Sequence, residues 1–540
     1  MLVPRLVAFS LALGGLRDPR LFAVAGVAAW AAVWLERPTL GPATAWLPWL
    51  GWALISTVVS AQPLAGLPVI ARWSAVLACA SLAAAWNAKQ REEWLKSFLI
   101  VAAGLAVAAL ATGAGRGWRN EMTGLIPPYY NYTAFVLAAA AAASAAWVLH
   151  PHGARGTERK AAGMVCVLAL VCVVLAHSRG AWLGLGVAAV FWSARRWGTR
   201  ALAPIAVVAA LAGGLLSGPL RDLVYKNYRA HAEARPRLWR SAAAVATDHP
   251  WLGVGPGSFA VGFRLHPVAM EDGAAKWSMS TDYAHSEPLH AAAETGWAGL
   301  ALWILGAGAA LLALFRRADT DPIREAAAAA AAAMTAQLAI DNMLQIPALA
   351  ALWLCALAMA APPAGKKRWP EAAILAGAAL VLVSWIPKTL AAISPAQAAA
   401  VFPAEPGPRE DLAYAAMSAG KAAEADAHWA AAQRLAPYNA IPSWRRAQIA
   451  GALGFWARAE PLSAQALALE PGFLSARLLR AEALVRLGRK TEARAELTEV
   501  QRLRSSRGDV ERGSGYERTI WRFEPQDFNR VAVLAGRQPL

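Results

Sequence analysis

Three short stretches of the chain collect the side chains that could do chemistry. His177–Leu185 reads HSRGAWLGL and holds Arg179 between two apolar runs. Ala234–Phe259 reads ARPRLWRSAAAVATDHPWLGVGPGSF and holds Arg235, Arg237 and Arg240. Tyr283–Trp303 reads YAHSEPLHAAAETGWAGLALW and holds His285, His290 and Glu294. A guanidinium is always charged and its planar fork grips two oxygens at once, so these arginines suit a phosphate or diphosphate. An imidazole is largely neutral at pH 7 and can take a proton from a hydroxyl, so a general base is on hand. Each group also has a plainer use. Arg179 at a span end serves equally as an interfacial anchor, the three arginines as a solvated basic face, and His285 as a capping or structural histidine. Arg237 and Arg240, three apart, share a helix face, and Arg235 sits just before Pro236 near the expected helix start. The GVGPG segment lacks the GK[ST] of a phosphate loop and reads as a helix stop and tight turn. The His285–His290 spacing differs from HExxH, so no metal site is expected.

The elements that must hold these groups are read from composition. Of 540 residues, 57% are hydrophobic and 16% charged. A soluble domain carries roughly 25% charged residues, so the chain is a membrane protein. Its net charge of +17 does not mark a nucleic-acid binder, because the basic residues cluster at span ends. Apolar runs near helix-spanning length fall at 5–16, 21–35, 44–60, 67–86, 95–113, 131–149, 161–177, 180–197, 201–217, 291–315, 326–345, 347–361 and 371–393. Each must be helical, since lipid offers no partner to free backbone groups. Residues 5–16 also resemble a signal-peptide core, and with so many spans following a retained helix is expected. Basic clusters recur in alternate loops: Lys89, Arg91 and Lys96; Arg155, Arg159 and Lys160; Arg195, Arg196 and Arg200; Arg316, Arg317 and Arg324; Lys366, Lys367 and Arg368. The positive-inside tendency makes these cytoplasmic. The polar interval 219–290, the turn at 177–180 and the segment 341–347 then face outward, and Arg17 and Arg20 fit this frame poorly. Cys79, Cys166, Cys172 and Cys355 all lie in apolar runs without a CxxC pair, which reads as small buried side chains.

From about Pro395 the pattern turns amphipathic and a repeat emerges. Gly420, Gly454 and Gly488 are 34 residues apart, as are Ala425, Ala459 and Ala493, and Pro437 and Pro471. That period resembles tetratricopeptide repeats, each a helix pair that buries its apolar face only by stacking on a neighbour. The expected domains are 1–394, a transmembrane part containing the large loop 218–290; 395–505, helical repeats; and 506–540, a polar tail with Trp521 and Phe523 as docking residues.

In order, the segments SRGAWLGL, RPRLW…HPWLGVGPGSF and HSEPLHAAAETGWAGL resemble the O-antigen ligase and polymerase family of bacterial integral-membrane glycosyltransferases. Ser286 and His290 stand where that family usually has Asn and Gln. PPYYNYTAF adds a faint likeness at Asn131. Together with the apolar runs, the positive-inside pattern, which also turns everything after Lys388 outward, and the 34-residue repeat, the resemblance implies an all-α, GT-C-like polytopic bundle of about 12–13 spans in the bacterial inner membrane, its large loop and C-terminal α-solenoid periplasmic. It implies an inverting, metal-independent transfer of glycan from a polyprenyl-diphosphate donor to an acceptor hydroxyl, with no cofactor. Arg179 and Arg235, or Arg237 in place of Arg235, would hold the diphosphate and His285 would activate the acceptor, with Arg240, His290, Glu294 and Asn131 as lesser candidates. Acceptors implied are lipid A core, a growing glycan or a protein, so ligase, repeat-unit polymerase and protein O-oligosaccharyltransferase stay open. Outside that class, a lipid-glycan flippase would line its spans with charge, yet Arg72 and Asp341 are the main charges within them. A repeat-bearing scaffold would leave the arginine and histidine loop without a use.

Overall fold

A computed structural model describes residues 2–116, 122–126, 130–198, 234–266, 281–315, 321–360, 367–505 and 519–539. Among these the structure is helical, with a single bridge between Thr39 and Arg368. The expected span at 201–217 lies outside the described residues. The chain forms two compact units. The first comprises Met1–Asn227, Ala246–Gly257 and Tyr283–Trp385; the second comprises Tyr228–Val245, Ser258–Asp282 and Ile386–Leu540.

In the first unit the helices are α1 (Leu2–Phe9), α2 (Pro19–Glu36), α3 (Leu47–Val59), α4 (Pro63–Ala85), α5 (Ala88–Arg116), α6 (Tyr130–Leu149), α7 (Gly156–Leu175) and α8 (Arg179–Trp197). Two shorter helices of the polar interval follow, α9 (Ala234–Asp248) and α10 (Phe259–Leu265). The first unit then resumes with α11 (Glu287–Phe315), α12 (Pro322–Leu338), α13 (Pro347–Ala360) and α14 (Glu371–Val383). Six candidate spans among the described residues are long and apolar enough to cross a bilayer: α2, α4, α5, α6, α11 and the stretch Glu371–Ile393. The unit is a multi-pass membrane bundle. Some expected spans are shorter than their apolar runs, those at 5–16 and 326–345 among them. The run at 5–16 yields only α1, after which Gly14, Gly15 and Leu16 all take left-handed φ and turn the chain. The run at 326–345 ends as helix at Leu338, and 339–346 is a loop.

The core of this bundle is built from the smallest side chains. Ala326–Ala333 of α12 and Ala138–Ala143 of α6 are buried, and α12 packs on both α6 and α8. Small residues let helix backbones approach closely, which is how helices associate where lipid is as apolar as the protein. A second cluster is aromatic: Trp46 lies against Trp49, Trp73, Trp303 and Trp353. One end of the bundle is laced by ion pairs among the basic clusters: Arg91–Asp321 at 2.8 Å, Lys96–Glu158 at 2.7 Å, Arg37–Glu371 at 2.9 Å, and Arg195–Glu325. Arg17 and Arg20 lie at the other end, just beyond Gly15, which packs against Ile126 and Ile346.

The second unit carries α15 (Ile386–Ile393), α16 (Pro395–Val401), then three helix pairs: α17 (Pro406–Ser418) with α18 (Ala422–Leu435), α19 (Ala440–Ala452) with α20 (Trp456–Leu469), and α21 (Leu474–Arg486) with α22 (Lys490–Ser505). Its last helix is α23 (Pro525–Leu534). The 34-residue period has a local cause. Gly420, Gly454 and Gly488 each take φ between +72° and +81°, ending the first helix of a pair. In each case the next residue's N–H reaches back to a helix carbonyl: Lys421 to Ala416, Phe455 to Ala450, Arg489 to Leu484. This is the glycine helix stop that a left-handed residue permits. Ala425, Ala459 and Ala493 are fully buried at the matching place in each second helix. Trp521 lies in one core with Phe528 and Val531 of α23, and Phe523 packs against it.

Candidate active site

Arg179 is the first residue of α8, and Ser178 caps it, its hydroxyl accepting from Ala181 N at 3.4 Å. The exposed guanidinium therefore stands at the positive end of a helix. What fixes this helix start is the four-residue spacing of Gly180 and Gly184. A Cβ at Gly184 would strike the Ala333 carbonyl, and one at Gly180 would lie 3.0 Å from Gln337 Cγ and 3.2 Å from Asp341 Oδ2. The GAWLG segment is thus a small-xxx-small face seated on α12. It carries the start of α8 to the corner where α12 ends and Asp341 lies in the loop to α13.

His285 arrives at the same corner from the other side. It takes left-handed φ (+52°) immediately before α11, as His177 does before α8. Its Nδ1 stands 3.8 Å from Asp341 Oδ1, the imidazole about one third exposed and the carboxylate buried. Ser286 N donates to Asn342 Oδ1 at 3.0 Å, and Leu344 N donates to Glu287 Oε1 at 2.7 Å. Arg72 of α4 donates from Nη1 to the Gln345 carbonyl at 3.1 Å. A carboxylate this close to an imidazole can orient the ring. Among the described residues no three His, Cys, Asp or Glu side chains are placed to hold a metal ion.

The HPWLGVGPGSF segment does something its composition does not announce. Helix α11 is broken at Gly296, whose φ and ψ are 74° and 174°. The carbonyls this frees are taken by the glycine-rich turn: Val254 N donates to Ala293 O at 3.0 Å and Gly255 N to Glu294 O at 2.9 Å. Glu294 adds its side chain, Oε1 accepting from Gly257 N at 2.8 Å, and His290 Nε2 lies 3.4 Å from the same oxygen. Gly253 and Gly257 leave no room for a Cβ, against the Glu294 and Ala65 backbones respectively. From α3, Trp52 Nε1 donates to the Trp251 and Thr295 carbonyls at 3.0 Å each, stitching both strands of the junction. Buried backbone groups must be paired somewhere, and here a loop completes a broken span.

Of the residues singled out from sequence, the first unit brings His285 and the helix start that carries Arg179, through Gly180, to the same carboxylate, Asp341. His290 and Glu294 are buried one and two turns along α11, where they hold the glycine turn. Asn131, in the first turn of α6, is half-buried and has no hydrogen bond to these groups among those described. Arg235, Arg237 and Arg240 lie on α9 within the second unit, the first two half-buried and the third exposed. Ser241 of the same helix donates to the His266 carbonyl at 2.7 Å. Sequence reading passed over Glu287 and Gln337 and noted Asp341 only as a charge in a span. The signal was there: AQLAIDNMLQIP sets a carboxylate and four amide or thioether groups in an otherwise apolar tract.

Residues 164–304 match a family model described as O-antigen ligase. The matched stretch runs from α7 into α11 and so contains Arg179, the α9 arginines, His285, His290 and Glu294. Gln337 and Asp341 fall beyond it. A search of curated proteins gives no match. The O-antigen ligase match supports glycan transfer of that general kind by a membrane glycosyltransferase, which implies a lipid-linked glycan donor and a glycan acceptor.

Proposed function

We propose that the protein moves a glycan from a polyprenyl-diphosphate donor to an acceptor hydroxyl at the outward, periplasmic face of the inner membrane. The observation that carries this is the meeting of the Arg179 helix start and His285 at one carboxylate, Asp341, on the bundle end away from the ion-paired basic clusters. The acceptor oxygen attacks the anomeric carbon from the face opposite the phosphate, and the carbon–oxygen bond to the diphosphate breaks. The acceptor proton passes to His285, and the leaving diphosphate keeps the bonding electrons. Arg179 meets that growing charge, reinforced by the α8 helix end, so configuration inverts and arginine serves where a metal otherwise would. The family resemblance also gives Arg235, or Arg237 in its place, a share in holding a diphosphate. The helix pairs of the second unit are read as tetratricopeptide-like repeats that engage a protein partner or the acceptor.

The test is transfer by purified protein from a polyprenyl-diphosphate glycan to lipid A core, glycan or protein acceptors, with and without chelator. His285→Ala and Arg179→Ala are each expected to lower turnover by about 10²- to 10⁴-fold, the usual weight of a general base or a charge-stabilising donor. Transfer that survives both substitutions would end this reading. Which acceptor gains sugar separates ligase from polymerase from protein glycosylation.

A further inference from the structure

The loop 339–346 brings the Asp341 carboxylate to His285, yet its backbone is neither helix nor strand. Something must hold it. Hydrogen bonds from neighbouring elements do so. Glu287 reaches from the first turn of α11 to take the Leu344 N–H. The Ser286 N–H runs the opposite way, to the Asn342 side chain. These two bonds are reciprocal and pin the loop to the residues that directly follow His285. Arg72 closes the far side by donating to the Gln345 carbonyl. Glu287 is 5% exposed, and a buried carboxylate is kept only where it is well paired. Arg72 is one of the two main charges within the spans, and Glu287 is foremost among the groups whose charge it feels. Neither residue has a part in the transfer chemistry above.

We infer that Glu287, with Arg72, is the positioning device for the Asp341–His285 pair: its carboxylate sets the loop register that places Asp341 against the imidazole. This rests on the functional reading only for its kinetic arm. A glutamine at 287 keeps an oxygen for the Leu344 N–H, while a methionine of similar length does not. Arg72→Met likewise frees the Gln345 carbonyl without changing the length of the side chain much. A misplacement of about 1 Å at a reacting group can cost roughly 10²-fold in rate.

The experiment uses the full chain in detergent, with unfolding checked for every variant. Glu287→Gln is expected to keep turnover within about threefold. Glu287→Met is expected to lose about 10- to 100-fold in kcat, with donor KM changed less than about threefold. Because Glu287 acts through Asp341, Glu287→Met combined with Asp341→Asn is expected to be no slower than Asp341→Asn alone. A second readout needs no transfer: the rate at which diethylpyrocarbonate modifies His285, followed by mass spectrometry of its peptide. Glu287→Met and Arg72→Met are expected to change that rate as Asp341→Asn does, and Glu287→Gln to leave it alone. The inference is overturned by losses that multiply in the double variant, by Glu287→Gln behaving like Glu287→Met, or by modification rates of the methionine variants equal to wild type. Should the wild-type protein transfer no sugar, the functional reading falls while the modification rates still decide this one. Should Glu287→Met fail to fold, Arg72→Met carries the same comparison.

Discussion

Gly296→Ala should undo the junction that completes α11. The native φ and ψ of 74° and 174° belong to a region open essentially to glycine, and holding alanine there costs about 1–3 kcal/mol. The new methyl would also stand 2.5 Å from the Pro250 oxygen and from the Trp251 carbonyl carbon and oxygen. Those are backbone atoms and cannot swing aside, so the glycine turn must lift. Lifting it breaks Val254 N to Ala293 O and Gly255 N to Glu294 O, each contributing about 0.5–1.5 kcal/mol net. The total is roughly 2–6 kcal/mol, a large share of the 5–15 kcal/mol that typical domains possess. Hydrogen exchange of the peptide covering Val254 and Gly255, with thermal unfolding in detergent, reads both parts of the effect. Gly308→Ala in the same helix is the control, since its Cβ meets nothing within 4 Å. If Gly296→Ala unfolds at the same temperature as Gly308→Ala, with the 250–257 peptide equally protected, the account of this break is wrong.

Gly184→Val should separate α8 from α12 at a cost of about 1–3 kcal/mol and lower the unfolding temperature, whereas Gly186→Val, with open space around it, should not. Gly454→Ala and Gly488→Ala should each destabilise the second unit by about 1–2 kcal/mol in denaturant unfolding, a pure backbone effect because no atom lies within 4 Å of either new Cβ. Glu410 of α17 is half-buried, and its partial desolvation pushes its carboxyl above the ordinary value of 4.5 despite nearby Arg264 and a hydrogen bond from Asn439. A raised folded-state value penalises the ionised form, so this penalty is absent below the ordinary value and complete above the raised one. Stability of the second unit should therefore fall as pH rises through that window, and Glu410→Gln should flatten the fall and unfold later at pH 7.

The parts of this molecule legible in sequence are those that short-range chemistry dictates. The 34-residue spacing of Gly420, Gly454 and Gly488 encodes a helix stop that each repeat forms by itself. The apolar runs announce helices because lipid leaves the backbone no alternative. The arginines and histidines stood out because they are polar in an apolar chain. What escaped were features requiring two distant segments at once. ETGWAGL reads as uninterrupted helix, and only the arrival of residues 250–257 shows why Gly296 can break it. Gly180 and Gly184 were seen as part of a signature, not as the face on which α8 seats. Glu287 and Asp341 lie 54 residues apart in sequence, and nothing local says that the bond from Leu344 joins them. Run length also misled at the ends: alanine continues the apolar pattern past Leu338, where the helix itself stops.

The alanine-built interior of α6 and α12 carries one more implication. Alanine has no side-chain torsion to adjust, so this interior has no alternative rotamers with which to absorb a disturbance locally. A push on the Leu338 end of α12 can be relieved only by the whole rod sliding or tilting, and such a rod delivers the displacement undiminished to its far end, where Glu325 grips Arg195.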